Sequence, residues 1–260
     1  MPRIAYFDCF SGCSGDMVLG ALLDAGLDRK SLISGLSSLD LKGYQISVDK
    51  VKRSALAATK FNVEIDRSVR QPEHSLAGIR RMIDSSRLSD KVKKDSIRVF
   101  ERLGEVEARI HGVSVEKIHF HEVGAVDSII DIVGSVLAFD ILGIERFYSS
   151  PLPLGRGTVL TSHGTLPVPA PATLQLLAMA KAPTLELQDA DAPQGEIITP
   201  TGAALITAFS VFSRPEMILE RVGYGAGSKD FDHWPNVLRI WLGTESEGHE
   251  IKHVRPHRHT

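Results

Sequence analysis

The segment RIAYFDCFSGCSGDMVLGALLDAGL (3–27) constrains the fold more than any other stretch of the chain. Its first part, RIAYFDCF, is a short continuous apolar run of strand length, and it reads as a buried strand. After two glycines, Met17, Leu19, Leu22 and Leu23 approximate helical spacing, so 14–27 reads as a helix. The same alternation continues. YQISVDKVKRSALAATKFNVEID (44–66) reads as two strands around a small-residue turn, with Phe61, Val63 and Ile65 alternating, and RSVRQPEH (67–74) as a polar connection. Two helices are expected at about 75–87 and 89–111, the second carrying Val99, Leu103, Val106 and Ile110 on one face.

Beyond them, KIHFHEV reads as a short strand, AVDSIIDIVGSVLAFDILG as a mostly apolar helix and RFYSSPLPLG as a strand running into a turn. LPVPAPATLQLLAMA is a proline-rich approach to a helix, and TPTGAALITAFSVF a helix opened by glycine. MILERVGYGAG and NVLRIWLG close the set as strands. There is no internal repeat. Strands mixed with helices imply an α/β or α+β domain, a mixed sheet flanked by helices, over 1–244, with 245–260 as a polar, histidine-containing flexible tail. Chain order leaves the order of strands in the sheet open.

Of 260 residues, 30 are Lys or Arg and 32 Asp or Glu; a net charge of −2 gives no reason to invoke nucleic acid or an anionic membrane as partner. No apolar run approaches the roughly 20 residues of a spanning helix, and the start MPRIAYFDCF lacks the features of a signal peptide, so a cytoplasmic protein is expected. Cys9 and Cys13, the only cysteines, are too few for a disulfide framework and read as buried small apolar side chains.

The chemistry concentrates in HFHEVGAVDSIIDIVG (119–134). In a strand, His119 and His121 project from one face and Phe120 and Glu122 from the other. In a helix starting near Ala125, Asp127 and Asp131 share a side, with Asp127 near the favourable amino end. Each residue alone has a plain structural role open to it: a core histidine, a cap, a salt bridge. Together, acids beside two imidazoles are costly to bury unless a cation compensates, which makes His119, His121, Asp127 and Asp131 candidate metal ligands.

In DCFSGCSGDM, Ser11, Gly12, Ser14 and Gly15 could cradle a phosphate on backbone amides, or Asp8 and Asp16 could hold a hard cation; a tight turn with a helix cap is the alternative. In GEIITPTGAAL, Thr199, Thr201 and Gly202 offer a second anion site at a helix start, with capping by Thr201 as the rival. His163, in a turn before a proline segment, is a candidate ligand, acid or base, or a solvated loop residue. RVGYGAGSKDF, with Lys229 and Asp230, suggests a glycine-rich loop near a ligand, and the tail histidines His249, His253, His257 and His259 resemble a loose metal-collecting tract.

Taken in order, FDCFSGCSGDMVLGALLDAGL, VEKIHFHEVGAVDSIIDIVG, PLPLGRGTVLTSHGTLPVPAPAT, GEIITPTGAAL and GYGAGSKDF with PNVLRIWLG closely resemble the LarC family, the nickel insertion proteins of nickel-pincer cofactor biosynthesis, over about 3–243. The resemblance implies a metallochelatase of the lyase class that inserts Ni2+ into pyridinium-3,5-bisthiocarboxylic acid mononucleotide, using CTP with Mg2+ or Mn2+, in lactate racemase maturation. It also implies that this chain matches the amino-terminal part, with CTP handled by a carboxy-terminal domain supplied as a separate polypeptide; self-association into a homo-oligomer is left open. The histidine-rich run of many members, between the hairpin and the next helix, is reduced here to His74. On chemical grounds, Glu122 or His163 is the candidate base for removing a ring proton. The rival functions are a non-catalytic nickel carrier and a metal-dependent hydrolase of a phosphorylated small molecule.

Overall fold

The computed structural model describes the chain except for residues 67, 70–73, 121–124, 162–163, 188–191, 232 and 247–260, and except for the side chain of His119. The described elements run β1 (Arg3–Asp8), α1 (Gly15–Asp24), α2 (Arg29–Leu36), β2 (Tyr44–Arg53), β3 (Leu56–Ile65), β4 (His74–Ser75), α3 (Leu76–Ser85), α4 (Asp90–His111), β5 (His119–Phe120) and α5 (Val126–Ile141). They continue with β6 (Arg146–Ser149), β7 (Leu152–Leu154), β8 (Thr158–Thr161), β9 (Gly164–Pro167), α6 (Pro171–Met179), β10 (Thr184–Glu186), α7 (Pro200–Phe209), β11 (Ser210–Val211), β12 (Met217–Ala226) and β13 (Val237–Glu245).

The main sheet has seven strands in the order β11-β6-β1-β13-β12-β3-β2. It is mixed: β1 pairs parallel with β6 and antiparallel with β13, while β12 pairs antiparallel with β13 and parallel with β3. The opening strand therefore lies in the interior of the sheet, beside the last described strand, which explains its unbroken apolar character. Alternation sorts its two faces. Ala5, Phe7, Ile240 and Leu242 join the main core with the helices, while Tyr6 and its register partner Trp241 pack on the opposite face with ring centroids 5.0 Å apart.

α5 is the most apolar of the long helices, and Ile129, Ile130, Ile132, Val133 and Ala138 are fully buried in it. Its Phe139 sits among Phe147 of β6, Phe209 of α7 and Phe7 of β1, at centroid distances of 4.7, 5.5 and 6.1 Å, and so ties three elements to one point. α4 buries Val99, Leu103 and Val106 as their spacing predicts, but Ile110, expected on the same face, is 40% exposed near the helix end. RFYSSPLPLG, expected as a single strand, divides at Ser150–Pro151: β6 joins the main sheet and β7 pairs with β10. α2, β4, β8, β9, β10 and β11 were not anticipated. α2 is short, carries only Leu32 and Leu36 into the core, and is opened by Asp28, whose carboxylate accepts from the Ser31 amide at 2.8 Å.

Candidate functional site

The site is built where the amino ends of α1, α5 and α7 meet the middle of β3. One wall of a cleft of about 330 Å3 is Ser14, Gly15 and Asp16 at the start of α1; a second is Asp127, Ser128 and Asp131 in the first turns of α5. A third is Thr199, Pro200 and Thr201 at the start of α7, and the remainder is Lys60 to Val63 of β3 with Ser228 after β12. A helix start exposes amides without intrahelical partners and carries the positive end of the helix dipole, so three such starts make a cleft receptive to an anion.

Close backbone contact holds these starts together. Cys13 donates its amide to Ile197 O at 2.9 Å and accepts from the Thr199 amide at 3.1 Å, joining the turn after β1 to the approach to α7. Gly202 is needed there, since a Cβ would lie 2.3 Å from Cys13 O. Thr199 caps α7 by accepting from the Gly202 amide at 3.1 Å, so capping by Thr201, the alternative to an anion site here, does not occur; Thr201 lies buried in the cleft wall. Between α1 and α5 the approach is tighter still: a Cβ on Gly15 would stand 2.5 Å from Asp131 Cβ. Gly15 thus leaves room for a carboxyl group at the mouth of α1.

That carboxyl group is the unusual one. Asp131 Oδ1 is shielded from solvent and has no hydrogen-bond partner, although the residue lines the cleft. Burial first, and then the neighbouring charges of Asp16 and Asp127, push its pKa well above the ordinary carboxylate range; Lys60 and the Asp16 amide pull more weakly the other way. Asp127 is exposed at the same cleft and accepts from the Ser128 amide at 2.8 Å. Asp127 and Asp131 face one cleft, as their spacing predicts.

Asp16 is fully engaged. Its Oδ1 accepts from the Met17 amide at 2.9 Å and from Ser14 Oγ, and its Oδ2 from Lys60 Nζ and, at 3.2 Å, from Ser228 Oγ. Asp8, expected to share a hard cation with Asp16, does not line the cleft: it is the register partner of Arg239 across β1 and β13 and is ion-paired with it. Ser11 and Gly12, expected in an anion cradle, also lie outside it. Ser11 is buried and its Oγ accepts from Trp234 Nε1 at 2.7 Å, while Gly12, at φ 104°, is pressed against Ile197 O. Of the two expected anion turns, Ser14 and Gly15 from one and Thr199 and Thr201 from the other are walls of a single cleft.

His121, Glu122 and His163 lie outside the described residues, as do the four tail histidines, and of His119 only the backbone, paired through β5 to β4, is described. Among the described residues no group of three His, Cys, Asp or Glu side chains is arranged to hold a metal ion. Cys9 and Cys13 are buried and form no disulfide. Lys229 donates to Glu196 O at 3.0 Å rather than lining the cleft.

The family model described as nickel insertion protein matches residues 5–256. The chain belongs to the nickel insertion protein family. A relative from Thermomicrobium roseum, provisionally named a nickel insertion protein, is 50% identical over 242 residues, covering 93% of this chain and 58% of the relative. One from Citrifermentans bemidjiense with the same provisional name is 48% identical over 252 residues, 95% of this chain and 64% of its own. A third, from Desulfitobacterium hafniense, is named pyridinium-3,5-bisthiocarboxylic acid mononucleotide nickel insertion protein and is 47% identical over 255 residues, 95% of this chain and 61% of the relative. This chain therefore spans about three fifths of the length of these relatives. No solved structure matches it.

In this cleft, Lys60 and Ser228 were not singled out from sequence. Lys60 stands in KFNVEI, where its alternation with Phe61 reads as an ordinary outward strand position. No helix among the described residues is long and apolar enough to cross a membrane.

Proposed function

We propose that this chain binds pyridinium-3,5-bisthiocarboxylic acid mononucleotide and Ni2+ and carries out the insertion step of nickel-pincer cofactor synthesis, as a cytoplasmic metallochelatase of the lyase class that serves lactate racemase maturation. The observation that carries this reading is the cleft: an acidic helix face, a partnerless carboxyl and three helix starts come together in a chain of the nickel insertion family. The phosphate of the mononucleotide belongs at the helix starts, on Ser14, Gly15, Thr199 and Thr201. Nickel, as substrate, belongs on His119 and His121 with a carboxylate of Asp127 or Asp131, since the two histidines closely precede α5 in the sequence.

Nickel(II) is borderline and suits imidazole, so a site of nitrogen and oxygen donors would hold it moderately and release it to the softer sulfur donors of the substrate. A bond from nickel to ring carbon requires loss of the ring proton, and Glu122 or His163 is the base proposed to take it. CTP and Mg2+ or Mn2+ are assigned to a carboxy-terminal domain, supplied as a separate polypeptide, and none of the steps given to this chain's residues uses them. The domain boundary is proposed to fall after β13, with the histidine tail beyond it.

Calorimetry with Ni2+ tests the site. His121→Ala is expected to weaken nickel binding about tenfold, equivalent to about 1.4 kcal/mol, and the wild-type chain, given CTP, Mg2+ and the carboxy-terminal part of a longer relative, is expected to yield the nickel-carbon product. A chain that binds nickel but never modifies the pyridinium compound would be a carrier. One that releases phosphate without nickel would be a hydrolase.

A further inference from the structure

We propose that Lys60 is the specificity-determining residue of the cleft: it reads the phosphate of the ligand, and Asp16 and Ser228 hold its ammonium group at the wall to meet it. This deepens the preceding reading and rests on it for the statement that the ligand is a mononucleotide.

Among the described residues lining the cleft, Lys60 is the one that bears a cation. Its side chain is only 12% exposed, far from the solvated state that a lysine on a strand normally keeps. An ammonium group has three N–H donors. Two are placed, on Asp16 Oδ2 and on Ser228 Oγ at 2.8 Å, and the third remains for a ligand. The two holders come from the start of α1 and from the segment after β12, so they fix the ammonium between the helix starts and the strand instead of letting it swing into solvent. If Lys60 served only to neutralise Asp16, that carboxylate would depend on it. Asp16 instead keeps Ser14, Met17 and Ser228 as donors without it.

A second, independent observation points to a ligand here. Asp131 Oδ1, in the facing wall, is buried and has no partner, a state that is costly unless something entering the cleft completes it. Lys60 offsets Asp16, and Asp127 lies at the positive end of α5. Lysine and helix-start amides together recognise a phosphate as a compact anion. A cleft of about 330 Å3 lies within the range of small-molecule sites.

Calorimetry on the full chain with nicotinic acid mononucleotide, nicotinic acid riboside and inorganic phosphate tests this. The wild type is expected to bind the mononucleotide at least about tenfold more tightly than the riboside. Lys60→Met should abolish that preference, while Lys60→Arg should retain most of it. Equal wild-type affinity for mononucleotide and riboside, or a Lys60→Met variant that still discriminates, would overturn the proposal. Circular dichroism checks folding, and if Lys60→Met does not fold, Lys60→Gln is read in its place by the same criterion. The Ni2+ titration keeps the two readings apart: a wild type that discriminates phosphate but does not bind nickel removes the insertion reading and leaves Lys60 in its role.

Discussion

Asp131 shows how much a single residue's surroundings can change its chemistry. A carboxyl whose folded pKa is raised contributes stability that is complete below its unfolded value, about 3.8 here, and is lost as pH rises through the folded value, because the folded state binds the extra proton. In metal-free protein, Asp131→Asn should remove that loss. Unfolding measured from pH 4 to 8 is expected to show a variant that matches the wild type at the acid end and gains on it towards neutrality, by about 1.4 kcal/mol for each unit of displacement. A gap that does not change with pH would count against a buried neutral acid. The spacing of Asp127 and Asp131 was legible in the sequence, because it follows from the helical repeat alone. The suppression of the Asp131 charge was not, since it depends on Asp16, far away in the chain but adjacent across Gly15.

At the scale of elements, local rules carried most of the reading. α4 is opened by Ser89, whose Oγ accepts from the Val92 amide at 3.3 Å, and closed by Gly112 in the left-handed region, with Arg109 and His111 in its last turn. Ser89→Ala is expected to cost about 1 kcal/mol in denaturant unfolding with an unchanged m value. The long hairpin of β2 and β3, and α1, α3, α4, α5, α6 and α7, all show in the apolar period and the turn residues. The elements that escaped, α2, β4, β8, β9, β10 and β11, are short, and too few of their residues repeat for a period to register. The proline at 151 marks the break between β6 and β7, yet a single strand was expected across it, because pairing with different partners is a tertiary choice.

For the whole molecule, stability and site geometry share one anchor. Phe139 joins α5 to the sheet and to α7, two of the three helices that open onto the cleft. Phe139→Ala should cost about 3–5 kcal/mol in chemical denaturation, as a large buried ring lost from a packed cluster; a cost below 1 kcal/mol would show that the cluster does not anchor the layer. By itself the sequence determined the kinds of element, their approximate limits, the family resemblance and the two glycine-bearing turns suited to an anion. These follow from interactions between residues near in the chain, which periodicity and capping report directly. Only the tertiary structure decided that the two turns form one cleft, that Asp8 belongs to Arg239, and that Lys60 stands beside Asp16. Those outcomes depend on sheet order and on backbone approach at Gly15 and Gly202, where contact is made between segments far apart in the chain and no local pattern records it.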